Sequence, residues 1–305
     1  MRDARGFALL TALWLLVALS TASLALALSA RTRRLAAANY AEGIRARAAA
    51  QAGVEHVRAL LEDRVLAAGN SGAWWGLDSL VDTLVVGDAR VTMTVRDVGL
   101  ALNLNRAAES ELRRLFTALR VDAGEADRLA QAIADWRDAD DLHRPRGAEQ
   151  ADYLAAGAPT LPRNGPFQRV EELRAVQGIT PRLFDEIRRY LTVRGSAQVN
   201  LNLASRPVLL TVPGIGEEAV AVLLRLRREG RMLANIAELE RDLSPGARAS
   251  FSAQLPTILA RATTETREVE VTSEGWLPGS PVRSRLIGVF VRARNAVFHV
   301  WSSAE

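Results

Sequence analysis

Cysteine is absent from the 305 residues, so neither a disulfide framework nor a thiolate metal site can form. Lysine is absent as well, and all 39 basic residues are arginine. Together with abundant alanine this points to a GC-rich coding sequence rather than a specialised binding surface, so the isoelectric point of 10.4 carries little weight. A formal net charge of +4 spread along the chain falls short of the clustered basic face of a dedicated nucleic-acid binder. Histidine is scarce: His56, His143 and His299 lie on separate segments with no nucleophile-base spacing among them, which argues against an enzyme and leaves no catalytic residue to name. Wholesale disorder is excluded by a hydrophobic content of 49%, enough for the cores of two modest domains.

Charge is missing altogether between Phe7 and Leu28. As a helix at about 1.5 Å per residue this run is about 33 Å long, against a hydrocarbon core of about 30 Å. It is overlong for a secretory signal, although Ala27-Leu28-Ser29 has the small residues of a cleavage site. The charged leader Met1–Gly6 ends in glycine, and the apolar run begins at once with Phe7, which resembles a type IV prepilin-like leader cut between Gly6 and Phe7. That resemblance implies removal of the leader by prepilin peptidase and N-methylation of Phe7. The fifth mature residue is then Thr11, where most pilins carry glutamate; locally, its hydroxyl can also bond back to the helix backbone. Arg31, Arg33 and Arg34 outnumber Arg2 and Arg5, so the positive-inside count favours the opposite orientation, and the processing site is given precedence over it.

From Arg31 to about Glu62 apolar residues recur at helical spacing, extending the anchor into a long amphipathic helix until Gly69-Asn70-Ser71-Gly72 breaks it. Trp74-Trp75, next to this break, is expected to anchor the first small sheet. Strands are expected at Thr83–Val86 and Ala89–Asp97, and again at Thr266–Glu274, Val282–Arg292 and Asn295–Trp301, where alternation suits a half-buried antiparallel sheet. Between the two strand groups the pattern is almost wholly helical. The expected fold is α+β: a long N-terminal helix on a small antiparallel sheet, interrupted by a large all-α insertion. Its parts are a leader (1–6), a transmembrane helix (7–30), a first pilin-like part (31–101), the insertion (102–262) and C-terminal strands (263–305).

The insertion contains an echo. Leu102-Asn103-Leu104-Asn105-Arg106-Ala107 returns as Val199-Asn200-Leu201-Asn202-Leu203-Ala204, each copy leading into a helix for which Asn105 and Asn202 are expected caps. Val170–Leu191 and Leu210–Leu226 look like helix-hairpin-helix units. Glycines in such hairpins can bring backbone N–H groups to a phosphate, but Glu217 and Glu218 at the second helix start repel one. Packing of two helices is the reading, with no nucleic-acid residues assigned.

The segment Asp135-Trp136-Arg137-Asp138-Ala139-Asp140-Asp141, followed by Arg144-Pro145-Arg146-Gly147-Ala148-Glu149-Gln150-Ala151-Asp152-Tyr153, is rich in hard oxygen donors. Asp135, Asp138, Asp140, Asp141, Glu149 and Asp152 suit a calcium ion, which takes about 6 to 8 oxygens, but the spacing is not that of an EF-hand. Arg137, Arg144 and Arg146 offer the alternative of ion pairs.

The Asp-Trp-x-Asp-x-Asp run, the Arg-Pro pair and the Gly-Ala-Glu then Tyr resemble the signature of the K-type minor pseudopilins of type II secretion, the general secretion pathway protein K family. The leader, Thr11, the Ala52-Gly53-Val54-Glu55 helix, the Asn-Leu-Asn motifs and the terminal strands extend the likeness over nearly the whole chain; Gln150 departs from it. The resemblance implies a pilin-like sheet with a large α-helical insertion, a structural calcium ion at the acidic segment, and a subunit without the pilin glutamate at the tip of a pseudopilus. It further implies I-type and J-type minor pseudopilins, the major pseudopilin and the inner-membrane secretion platform as partners, with one pass through the inner membrane and the C-terminal domain in the periplasm. The alternatives are a membrane-anchored DNA receptor and a minor pilin of a type IV pilus.

Overall fold

The computed structural model describes residues 3–68, 80–293 and 296–304. Met1 and Arg2, the expected glycine break at 69–72 and Trp74-Trp75 lie outside the described residues. The helix α1 (Asp3–Ala68) runs through the leader junction without interruption, 66 residues or about 100 Å. Proline is absent from it, so nothing removes a ladder hydrogen bond. Residues 10–28 are exposed, and a window of mean hydropathy 2.0 makes the helix long and apolar enough to cross a membrane.

The chain continues through β1 (Leu80–Val86), β2 (Ala89–Asp97), β3 (Leu102–Asn103), α2 (Glu109–Ala118), α3 (Ala123–Arg137), α4 (Gln150–Ala155), α5 (Pro181–Ile187), β4 (Leu191–Thr192), β5 (Val199–Asn200), α6 (Arg206–Leu209), α7 (Glu217–Arg228), α8 (Pro245–Ala253), α9 (Leu255–Arg261), β6 (Ala262–Thr263), β7 (Glu268–Trp276), β8 (Arg283–Ala293) and β9 (Ala296–Ala304). One five-stranded antiparallel sheet has the order β1-β2-β7-β8-β9. The insertion thus leaves and re-enters between two hydrogen-bonded neighbours, β2 and β7.

Alternation decides which face of the sheet is covered. Val91, Met93, Val95, Val269, Val271 and Phe290 point one way, onto Ala46, Ala49, Val54, Val57 and Leu61 of α1, and form one core. The approach is close because small residues line the contact: a Cβ on Gly275 would stand 2.2 Å from the Ala46 carbonyl oxygen, and one on Gly53 2.4 Å from Ser273 Oγ. Ser273 Oγ donates to the Ala50 carbonyl at 2.7 Å. Gly275→Val is therefore expected to cost about 1–3 kcal/mol by overpacking, read by urea denaturation of the full chain in detergent. An unchanged midpoint would show that α1 is not held this tightly.

These contacts also fix direction. As α1 advances from Ala46 to Ala50, its partners on β7 step back from Gly275 to Ser273. The turns at the near end are tied to the same stretch, by Arg45 to Asp88 at 2.9 Å and Ser280 to Glu42 at 2.6 Å. The apolar half of α1 projects beyond that end of the sheet, and the insertion is attached at the opposite end, after Asp97 and before Glu268.

The insertion holds two further cores, one over residues 102–191 and one over 199–262. It is not purely helical: β3 pairs with β4 and β5 with β6, both parallel. Each pair closes one module, and the sequence echo marks the start of each. Asn105 and Asn202 do not cap helices, as the sequence suggested; the N-caps are Ala108 and Ser205. The asparagine amides instead serve passing backbone as donor and acceptor at once. Asn105 donates to Phe167 O (2.9 Å) and Val193 O (3.2 Å) and accepts from Phe167 N (2.8 Å). Asn202 repeats this with Leu233 O (2.9 Å), Thr264 O (2.8 Å) and Leu233 N (2.9 Å).

The correspondence extends through both modules. Arg137 donates to Leu104 O and Ala107 O, and Arg227 to Leu201 O and Ala204 O. Burial lowers the pKa of both, that of Arg227 to about 10. Arg120 (φ 64) and Gly214 (φ 88) occupy the same turn. Thr180-Pro181 and Ser244-Pro245 start α5 and α8 alike, each hydroxyl accepting an N-cap bond ahead of a proline. The modules differ in one connection: residues 138–166 lead from Arg137 to Phe167 in the first, and only residues 228–232 from Arg227 to Leu233 in the second.

Candidate functional site: an acidic loop grafted on the first module

That longer connection contains the acidic segment. Trp136, 2% exposed, ends α3 against Phe167 (ring centroids 6.1 Å, stacked) and Tyr153 (5.7 Å), while the Tyr153 hydroxyl accepts from Gln177 N at 2.9 Å. Burial pushes the Tyr153 phenol up to about 12. The aromatic group fixes the loop at both ends, and α4 turns back across it.

Of the three arginines in the segment, only Arg144 faces the cluster. It donates to Asp135 Oδ1 and Asp138 Oδ2, both at 2.5 Å, and lies 3.7 Å from Glu109. Arg137 is committed to backbone carbonyls, and Arg146 lies 3.8 Å from Asp127. Asp135 is fully buried, and the missing side chain of Gly147 makes room for it, since a Cβ there would sit 1.8 Å from Asp135 Oδ2.

Glu149 is 4% exposed, and neither of its carboxylate oxygens has a hydrogen-bond partner. Burial first, then the charges of Asp135, Asp138, Asp141 and Asp140, push it up to about 7. Asp138 Oδ1 and Asn164 Oδ1 are likewise buried without partners. One oxygen of each of two others is engaged: Asp140 Oδ1 accepts from Leu142 N (2.9 Å) and Asp141 Oδ1 from Asn164 Nδ2 (2.8 Å). Asp152 belongs elsewhere. It accepts from Glu149 N (2.8 Å) at the start of α4 and lies 3.2 Å from His143 Nε2.

Among the described residues, no three His, Asp or Glu side chains meet as a ready metal group. The six carboxylates read from the sequence are not gathered as one set, because Arg144 stands between Asp135 and Asp138 and Asp152 serves a helix start. Asn164 was missed; its signal was the Asn164-Gly165 pair, whose positive φ of 47 at Asn164 turns the amide toward Asp141. What remains is an oxygen-only group with bare, buried oxygens and one arginine against several carboxylates, a donor set that fits a hard cation.

The other expected sites are simpler. Thr11 is exposed on α1. His56 lies 4.0 Å from Asp82, and His299 is exposed and stacked on Phe290 at 4.9 Å. The first arm of the 170–191 hairpin is a 3-10 turn, Val170–Ala175, and the second hairpin follows the four-residue α6. Gly178 and Gly214 both have φ 88, but protein covers them: a Cβ would meet Arg128 at 2.6 Å and Gln254 at 2.8 Å. At the start of α7, Glu217 pairs with Arg206 at 2.6 Å and Glu218 accepts from Ser244 N and Oγ, which holds its pKa down. That helix start presents carboxylates where a phosphate would sit.

Residues 81–196 match the model of the family described as type II secretion system (T2SS), protein K. Type II secretion system protein K of Aeromonas hydrophila is 30% identical over 153 residues, 44% of this chain and 46% of that protein. The putative type II secretion system protein K of Escherichia coli K12 is 29% identical over 126 residues, 37% and 38% of the two chains. The matched stretch thus spans less than half the length of these curated relatives. In three dimensions, a chain of the crystal structure of the GspK-GspI-GspJ complex from the enterotoxigenic Escherichia coli type 2 secretion system superposes with a TM-score of 0.69. It is 16% identical, and the superposition covers 90% of this chain and 99% of that one, so the whole architecture is shared. Over residues 81–196, from the first strand through the acidic loop to the end of the first module, the chain is similar to the type II secretion system protein K family.

Proposed function

We propose that the chain is a minor pseudopilin at the tip of a type II secretion pseudopilus, where it initiates or caps the assembly. The observation that carries this reading is the polarity of the fold: the apolar half of α1 leaves one end of the sheet, and two helical modules crown the other. Stacking of pilin-like subunits buries α1 against neighbours below, and the crown obstructs a subunit above. Cleavage between Gly6 and Phe7 frees an amine for the glutamate of the next subunit, while Thr11 asks for no partner above. In this arrangement α1 crosses the inner membrane once and the modules lie in the periplasm. The role is structural and needs no catalytic group.

The partners that fit are I-type and J-type minor pseudopilins, then the major pseudopilin and the secretion platform. The chain, coexpressed with both minor pseudopilins and purified in detergent, is expected to elute as one complex and to carry a methylated Phe7 by mass spectrometry. Elution alone, or a mature terminus near Ala30, would overturn the assignment. Coelution with pilins of a type IV pilus instead would move the chain to that system.

The acidic loop, we further propose, holds a structural calcium ion. Glu149, Asp138 and Asn164 supply bare oxygens, with Asp135, Asp140 and Asp141 beside them. The ion would contribute the positive charge that Arg144 alone cannot, locking the loop onto the aromatic group of Trp136.

A further inference from the structure

Arg144 is held by its backbone independently of its side chain. Its main-chain N–H donates to Asp135 Oδ2 at 3.4 Å, and its carbonyl accepts from Gly147 N at 3.0 Å, closing the turn Arg144-Pro145-Arg146-Gly147. The side chain is 34% exposed, and its guanidinium does separate work. Nη1 bridges Asp135 Oδ1 and Asp138 Oδ2, while Nε lies 3.7 Å from Glu109 Oε2 in the first turn of α2. The two bridged carboxylates belong to the calcium set proposed above, and Glu109 does not. Among the described residues, no other side chain pairs with Glu109.

Oxygen number and charge both set Arg144 against a bound cation. Four buried oxygens of the loop are bare: both of Glu149, Oδ1 of Asp138 and Oδ1 of Asn164. Calcium takes about 6 to 8. The two oxygens under Arg144 Nη1 bring the number to six. A cation on Asp138 Oδ1 would also share that carboxylate with the guanidinium on Oδ2, and like charges so close repel strongly where water is scarce. We propose, resting on the calcium reading of the loop, that Arg144 is an exchangeable counter-cation: its guanidinium yields Asp135 and Asp138 to calcium and turns onto Glu109. The planar fork finds there a carboxylate that it can grip at two points. Exchange does not release the loop, because the main-chain bond to Asp135 and the Arg144–Gly147 turn do not involve the guanidinium. Its effect is on affinity: the loop loads at a higher calcium concentration than its oxygens alone would set.

Calcium titration of the chelator-treated full chain in detergent, by isothermal calorimetry, tests this as a double-mutant cycle. Arg144→Gln is expected to bind calcium about tenfold more tightly than the parent, and Glu109→Gln about threefold more weakly. Adding Glu109→Gln to Arg144→Gln is expected to change nothing further, since no arginine then needs a second carboxylate. Arg144→Lys keeps the charge without the fork and is expected to fall between the parent and Arg144→Gln, which serves if the glutamine variant does not fold. Binding by Arg144→Gln but not by the parent also supports exchange. Equal weakening by Glu109→Gln in both backgrounds would reveal only the general field of that carboxylate and overturn the proposal. Unchanged affinity in both Arg144 variants overturns it too, and assigns the ion to oxygens that Arg144 does not hold. These outcomes leave the calcium reading standing, whereas absence of binding in the parent and in every variant removes that reading and the exchange with it.

Discussion

In calcium-free buffer at about pH 7.5, Glu149→Gln is expected to melt several degrees above the parent chain, and saturating calcium is expected to reverse that order. The first half follows from the carboxylate as the fold holds it. Its pKa in the folded chain is about 7, raised from 4.5 by burial and by Asp135, Asp138, Asp141 and Asp140. A carboxyl whose pKa rises on folding binds more protons folded than unfolded across that interval. Its contribution is therefore fully present below about pH 4.5, falls as pH climbs through 7, and is flat above. Glutamine keeps the shape without the charge, so the difference between the two chains should open over that window and vanish at its acid end. The second half follows from the cation: glutamine removes a charged ligand, so calcium should raise the melting temperature of the parent far more than that of the variant. Differential scanning calorimetry at several pH values, with chelator and with calcium, reads both. A parent chain that melts identically with chelator and with calcium would falsify the ion, whatever the pH series shows.

Asp97→Ala is expected to destabilise the chain by about 3–5 kcal/mol, more than any surface substitution. Asp97 ends β2, is 4% exposed, and accepts from Gly99 N (2.6 Å), Asn200 Nδ2 (2.7 Å) and Thr266 Oγ1 (2.6 Å). These donors come from the exit of the sheet, the start of the second module and the return toward β7. Alanine leaves all three without this acceptor in a buried site, where each orphan donor costs about 1–3 kcal/mol. Asp97→Asn should lose less, since one amide oxygen still accepts while its NH₂ faces donors. Urea denaturation in detergent measures both, and a loss under about 1 kcal/mol for the alanine variant would show that the junction is held elsewhere.

How much of this was readable beforehand differs by element. Period-two alternation of Val91, Met93 and Val95 gave β2 at its observed bounds, because one face of that strand is buried and the other is not. The long helix was equally plain, though its extension to Ala68 was not. The asparagines were visible as a repeat but assigned the wrong partners. A cap is a local bond that sequence spacing suggests, whereas Asn105 reaches Phe167 and Asn202 reaches Leu233, and no local pattern encodes such pairs. The matching of Arg137 with Arg227 escaped notice for the same reason. In the acidic loop, composition announced the carboxylates but not which arginine would face them. That choice depends on Arg137 being drawn to the distant carbonyls of Leu104 and Ala107, a tertiary fact.

The entry and exit of the insertion through adjacent strands also sets an order of events during synthesis. β2 emerges early and β7 late, with residues 98–267 between them, so the central strand pair of the sheet is a very non-local contact. Closing so long a loop of unfolded chain is slow and entropically costly. Once the two modules have folded, Asp97, Asn200 and Thr266 are clasped together and the effective loop shrinks to a hairpin. The crown is therefore expected to mature first, and the surface on which α1 rests to be completed last. Until then the apolar underside of the sheet has no finished partner, and α1 has no completed surface on which to rest.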